Sequence, residues 1–310
     1  MNNLKKVGLT ALAGSLAAST AYAGVLEVTG SASVKYQSRS GSSGTSSVQG
    51  NPWSDGNGIT FSGSGDLDNG MSVGYSYTMT DAAFSASSVT LDMGDTGTIA
   101  FGHDSAHGGI DTIKDKMPTA GEEVWDDIGS GDDAGVTDVG ADPSLYYSLN
   151  MSGMTISASY ARTGLGTDNS VAIVASELVD GMEFGIGTGT NVISNTSEDD
   201  LTTAYAKYTS GPITVGVQLS EIDKTAANSD LDRQAAAISF AVNENLSVSY
   251  GISNVEYENS TKTDAESTGI SASYTMGGIT LGAVSNKTDS FGGTSGTDKE
   301  FTEVSLKFAF

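Results

Sequence analysis

The chain has 310 residues, no cysteine, two histidines, 40 glycines, four prolines and a formal charge of −24. Without thiols it has neither a disulfide framework nor a thiolate metal site. Its acidity excludes nucleic acid as a partner, because phosphate binding needs a basic face.

Residues 1–23 read as a secretory signal peptide. Lys5 and Lys6 form a basic start, residues 7–18 an apolar run too short to span a membrane, and Ala21-Tyr22-Ala23 a small-x-small cleavage site. The exported chain is expected to start at Gly24 and to form one domain, 24–310. Beyond the leader no stretch approaches the ~20 consecutive apolar residues of a spanning helix. Acidic chains are often disordered, but disordered chains lack regular apolar alternation, and this chain keeps it almost throughout.

The first predicted strand sets Leu26, Val28, Ala32, Val34 and Tyr36 on one face and Glu27, Thr29, Ser31, Ser33 and Lys35 on the other. A polar loop is expected over 37–57. Ile59, Phe61 and Leu67 then run down to the turn at 66–70, and Met71, Val73, Tyr75, Tyr77 and Met79 run back. Val89, Leu91 and Met93 lead through Gly94–Gly97 to Ile99 and Phe101. After the stretch 104–143 come further alternating pairs joined at 152–153, 180–181, 210–212, 243–245 and 277–278, and the chain closes on Val304, Leu306, Phe308 and Phe310. The count is sixteen strands, seven short turns and eight longer loops. An even number of strands of about ten residues, with short turns at one end and long loops at the other, describes an antiparallel transmembrane β-barrel. Closing it pairs the first strand with the last and leaves no open backbone edge in lipid.

The stretch Asp104–Pro143 follows neither a strand nor a helix period and carries eleven acids against Lys114 and Lys116. A structureless connection of this length is uncommon and usually functional. Ile110, Ile113, Met117, Val124 and Trp125 could anchor it to a wall. Glu122, Glu123, Asp126 and Asp127, with Asp111, Asp115, Asp132 and Asp133, are the candidate acids of a pore constriction. By strand parity, Lys35, Lys207, Arg233 and Lys307 face the lumen, the first and third near the loop end and the other two near the turn end.

An alternating last strand that ends in phenylalanine, carried here by Val304, Leu306, Phe308 and Phe310, resembles the C-terminal signature of Gram-negative outer-membrane proteins. With the leader, the strand count and the long loop after the fifth strand, the whole exported chain resembles a sixteen-stranded bacterial general porin, alphaproteobacterial in type. The resemblance implies a homotrimer of water-filled barrels in outer-membrane lipid, each narrowed by its third external loop folding inward. It implies passive diffusion of small hydrophilic solutes and ions, and makes Phe308 and Phe310 the signal read by the outer-membrane assembly machinery. One departure matters. Porins of this kind set loop acids against a dense arginine cluster, whereas arginine occurs here only at 39, 162 and 233. The expected field is therefore more negative, and cation preference follows.

Other chemistry finds little support. His103-Asp-Ser-Ala-His107 gathers a histidine, a serine and an acid at one strand end, whereas triads are assembled from distant segments, so loop anchoring is the preferred reading and no enzyme is expected. No cofactor is expected either, beyond calcium held weakly by the loop carboxylates, whose spacing fits no EF-hand. Gly185-x-Gly-x-Gly189 lies within a strand with no helix after it, so it is not a dinucleotide loop. Two other functions stay open: a substrate-selective porin with a luminal solute site, and a barrel acting as a surface adhesin or enzyme. Saturable conductance would mark the first, and absence of conductance the second.

Overall fold

The computed structural model describes residues 26–41, 51–103, 108–126, 128, 136, 139, 143–176 and 178–310. The expected leader and the cut before Gly24 lie outside the described residues, as do Asp127, Asp132, Asp133 and the Ser105–His107 part of the histidine motif.

Sixteen strands form one closed antiparallel barrel. They are β1 (Glu27–Gly41), β2 (Trp53–Asp66), β3 (Ser72–Thr80), β4 (Ala83–Asp92), β5 (Thr98–His103), β6 (Ser144–Met151), β7 (Met154–Arg162) and β8 (Thr167–Ala175), followed by β9 (Met182–Ser194), β10 (Ser197–Ser210), β11 (Ile213–Lys224), β12 (Leu231–Ala241), β13 (Leu246–Tyr257), β14 (Ala265–Met276), β15 (Ile279–Asp289) and β16 (Lys299–Ala309). Each strand pairs with its sequence neighbours, and β1 closes on β16 with Val34 opposite Leu306 and Ala32 opposite Phe308. Phe310 completes the seam. Its N–H donates to the Gly30 carbonyl at 2.9 Å and its carbonyl accepts the Gly30 N–H at 2.7 Å. The Phe310 ring lies over Gly30, where an added Cβ would displace it.

The two faces divide as alternation dictates. Val28, Val34, Phe61, Val217, Leu219, Ile270, Leu281 and Val304 are exposed on one face, an apolar band around the barrel. The opposite face is stitched by hydroxyls on neighbouring strands: Thr203 to Ser220 at 2.8 Å, Ser267 to Thr288 at 2.7 Å and Ser249 to Ser271 at 2.6 Å. At the short-turn end, Ser152 and Gly153 have φ of 45° and 82°, the left-handed pair that a two-residue hairpin turn requires.

The strands run past the limits that hydropathy suggests. Part of the loop expected over 37–57 is ladder, because β1 continues to Gly41 and β2 starts at Trp53. Likewise β9 runs on to Ser194 and β12 starts at Leu231. Apolar alternation reports only the height that lipid touches, whereas ladder hydrogen bonds satisfy the backbone well above it. Two connections at the loop end are also shorter than expected: β3 passes to β4 through Asp81 and Ala82, and β9 to β10 through Asn195 and Thr196.

A hydrophobic core lies on the polar side of the wall. Ile110, Ile113, Met117, Val124, Trp125, Val136 and Val139 of the β5–β6 connection cluster with Ala172, Leu201, Tyr205, Ile222, Leu231 and Val255 of the strands. These wall residues interrupt the polar face and give the connection a surface to pack on.

Candidate constriction loop and its wall

The connection begins as a 3-10 turn, Gly109–Thr112. The buried Ile110 N–H donates to Ser170 Oγ of β8 at 2.9 Å, and Ser157 Oγ of β7 donates to the Gly109 carbonyl at 3.3 Å. Further on, Gln218 of β11 works as a double clamp. Its Nε2 donates to the carbonyls of Ile113 at 3.0 Å and Lys114 at 2.8 Å, and its Oε1 accepts the Lys116 N–H at 3.2 Å. The Ala120 N–H donates to Ser249 Oγ of β13 at 2.9 Å. Asn286 of β15 donates through Nδ2 to the carbonyls of Glu123 at 3.0 Å and Asp126 at 3.4 Å. Three of these partners alternate with exposed apolar residues: Ser170 beside Val171, Gln218 beside Val217 and Leu219, Ser249 beside Val248 and Tyr250. The connection therefore meets the polar face from β7 round to β15.

Shape reinforces the hydrogen bonds. A Cβ on Gly187 of β9 would approach Ile113 Cδ1 to 2.8 Å, and one on Gly189 would approach Val139 Cγ2 to 3.1 Å. On β13, a Cβ on Gly251 would approach Val124 Cγ1 to 2.8 Å. Within Gly185-x-Gly-x-Gly189, Gly187 and Gly189 thus leave a groove in the wall that the connection fills, while Gly185 makes room for the Tyr205 ring of β10.

Trp125, 4% exposed, is the deepest anchor near the tip. The Arg233 guanidinium of β12 lies 3.4 Å from its ring centroid, and Arg233 Nε donates to Ser253 Oγ at 3.1 Å. A desolvated cation–π pair of this kind stabilises by ~2 kcal/mol. Beside it the Glu123 N–H donates to Asp126 Oδ2 at 3.1 Å. Burial, then the Asp126 carboxylate, pushes the Glu123 carboxyl up to about 8. Burial, then Lys207, pulls the Lys116 ammonium down from its ordinary value.

The candidate acids occupy different settings. Glu122, Glu123 and Asp126 lie together beside Trp125 and are half-buried, and Asp115 is exposed. Asp111 braces the connection from within, its Oδ1 accepting the Val139 N–H at 3.0 Å. Of the four wall bases, Lys35 bridges to Glu303 at 3.1 Å and Lys207 to Glu183 at 2.9 Å. Arg233 lies under Trp125, and Lys307 is exposed opposite Ser33 of β1. Sequence reading splits the four between the two ends of the wall; Arg233 and Lys207, one from each pair, both meet the connection. Lys207 sits with Met117 and Pro118 around Gly216, because the connection reaches down the wall past mid-strand. Sequence reasoning missed Glu183, Glu303, Gln218 and Asn286. Glu183 and Glu303 stand on the wall parity, and that parity could have revealed them.

His103 packs edge-on to Phe84 with ring centroids 5.4 Å apart. No cluster of three or more histidine, aspartate or glutamate side chains suited to a metal occurs among the described residues.

A family model described as Gram-negative porin matches residues 8–309. No curated protein sequence matches the chain. Among solved structures, a mutant of the Rhodobacter blastica porin is similar at 14% identity, covering 92% of this chain and all of that one, with a TM-score of 0.67. The anion-selective porin from Comamonas acidovorans is also similar at 14% identity, covering 93% and 100%, with a TM-score of 0.67. At such identities the likeness is one of fold.

Proposed function

Because the chain belongs to the Gram-negative porin family, we propose that this outer-membrane porin is a general, cation-preferring diffusion channel whose β5–β6 connection folds inward and narrows the lumen. Residues 1–23 are its export signal, and it works as a homotrimer in outer-membrane lipid, delivered by the assembly machinery that reads Phe308 and Phe310.

The observation that carries the cation preference is that three of the four wall bases are paired or covered, which leaves only Lys307 exposed, near the turn end. Lys35 faces Glu303 and Lys207 faces Glu183, while Arg233 is covered by Trp125. The acids of the connection thus meet few uncompensated positive charges across the lumen. Field lines concentrate in a narrow aqueous gap between low-dielectric walls, so fixed carboxylates there raise the local cation concentration. With a Debye length of about 8 Å at physiological ionic strength, the effect acts across a constriction. Glu122, Glu123, Asp115 and Asp126 carry the field at the tip, with Asp127, Asp132 and Asp133 further along the connection and Asp111 acting as its internal brace. Burial and the neighbouring Asp126 raise the Glu123 carboxyl to about 8, so at neutral pH Glu123 contributes less than a full charge. Cations, calcium included, form an exchangeable cloud there.

The test is the zero-current potential of the purified channel in a planar bilayer under a salt gradient. Neutralising Glu122, Glu123, Asp126 and Asp127 to Gln or Asn is expected to move it toward anion preference, most strongly at low salt, with a modest change in conductance. An unmoved potential in a well-inserted variant would place the selectivity elsewhere in the barrel.

A further inference from the structure

At the loop end of the wall, the ends of β9–β13 and the connections that follow β11 and β13 border an open cavity of about 350 Å³. This lies in the size range of small-molecule sites. Its charged lining is Asp199, Lys224, Asp230 and Lys262, with Tyr257 beneath. The composition is unusual for its surroundings. At the same height on the opposite face of β10–β13 stand Asp200, Asp223, Asp232 and Glu256, all acids and all exposed. The whole chain has only 14 lysines and arginines against 38 acids, yet two lysines and two aspartates share this cavity.

The charges are set in place. Asp199 and Lys224 stand opposite each other in the β10–β11 ladder. Asp230 Oδ1 accepts the Lys224 N–H at 2.7 Å, which fixes the β11–β12 connection over the opening. Lys262 Nζ lies 4.1 Å from the Tyr257 ring centroid, and the Lys262 stem packs on Gly293, where a Cβ would come within 2.7 Å of Lys262 Cδ. An ammonium held between a ring and a backbone loses little freedom when it takes a ligand.

We infer that this cavity is a capture site for small zwitterions of the α-amino acid class, the ligand carboxylate meeting Lys262 and Lys224 and its ammonium meeting Asp199 and Asp230. A lone anion entering here meets Asp199 and Asp230, and a lone cation meets the two lysines. Only a ligand carrying both charges is favoured at both ends. The inference rests on the channel reading and adds a saturable step to it.

The test uses the full-length channel in planar bilayers at about pH 6, where an α-amine is protonated. L-Glutamine, its methyl ester (a cation) and N-acetyl-L-glutamine (an anion) are added in turn on the loop side. L-Glutamine is expected to raise current noise along a saturating curve, and the two single-charge analogues are not. Because charge-assisted hydrogen bonds are the stronger kind, Lys262→Met should weaken the apparent affinity about tenfold without altering open-channel salt conductance, and Lys262→Arg should restore most of it. Strictly linear dependence on glutamine, an equal response to either analogue, or an unchanged curve in Lys262→Met overturns the inference. A barrel that passes no ions overturns the channel reading instead, whereas steady conduction blind to glutamine overturns only the capture site.

Discussion

The Glu123 carboxyl, in the described part of the β5–β6 connection, is displaced well above its ordinary range, and its setting makes the docked tip sensitive to pH. Burial and the Asp126 carboxylate raise it to about 8; Asp115 in the connection and Arg233 on β12 are the other charges acting within this cluster. A released tip would let Glu123 titrate in the ordinary carboxylate range. Between that range and about pH 8 the docked state therefore binds more protons than the released one. By linkage, docking is strongest below the ordinary range, weakens as pH rises, and stops weakening above about pH 8. The chain has two tryptophans, so a Trp53→Phe variant leaves Trp125 as the sole reporter. Its emission is expected to shift to the red as pH is raised from about 5 to about 8, then level off. Adding Glu123→Gln should flatten the curve; a curve that persists in that double variant would assign the transition to another group.

At the scale of the elements, the connection and the wall fit by shape as much as by hydrogen bonding. Gly187 on β9 accommodates Ile113, and a branched side chain there would crowd Ile113 Cδ1 as well as Ala172 and the Val171 carbonyl of β8. Gly187→Val is therefore expected to leave the barrel assembled while changing single-channel conductance. Gly63→Ala, at a site where an added Cβ meets nothing within 4 Å, should behave as the parent. Equal conductance in both variants would show that the groove does not hold the connection. The same groove shows how far the sequence can be read. Sixteen alternating segments with glycine-bearing turns were legible because lipid imposes period-2 alternation on every strand. The anchors Ile113 and Trp125 were legible as apolar residues in an acidic stretch that had no other use for them. Their receptors were not, because glycine, alanine and serine on a polar face are what any water-facing strand displays. Nor was the extra height of β1, β9 and β12, since ladder pairing above the lipid leaves no hydrophobic trace. The meeting of Lys207, near the turn end, with the connection was not legible either, because the descent of the connection depends on long-range partners such as Gln218 that periodicity does not mark.

For the whole molecule, the barrel carries a strain that its net charge of −24 already suggests and its register localises. On the exposed face above the apolar band, carboxylates stand directly opposite one another: Asp200 with Asp223, Glu221 with Asp232, Asp232 with Glu256, and Glu266 with Asp289. Like charges directly opposite in a sheet destabilise it, and here the pairs recur across β10–β15, broken only where Glu266 faces Asn254. Among the described residues Lys287 relieves the end of the row, bridging to Asp289 at 2.7 Å. Exposed charges are screened within about 10 Å at 0.1 M salt but reach about 30 Å at 0.01 M, so barrel stability should depend on ionic strength in a way an apolar band alone would not produce. Asp232 is the sensitive position, because it faces a carboxylate on each side. Asp232→Asn is expected to raise the apparent unfolding temperature at low salt by about 1–3 °C and to reduce its rise with added sodium chloride. Asp180→Asn, in the short connection between β8 and β9 at the far end of the barrel, should change neither quantity. If the two variants show the same salt dependence as the parent, repulsion along this row does not limit the stability of the barrel, and the unfolding step begins elsewhere, with the β1–β16 seam closed by Phe310 and Gly30 the next place to look.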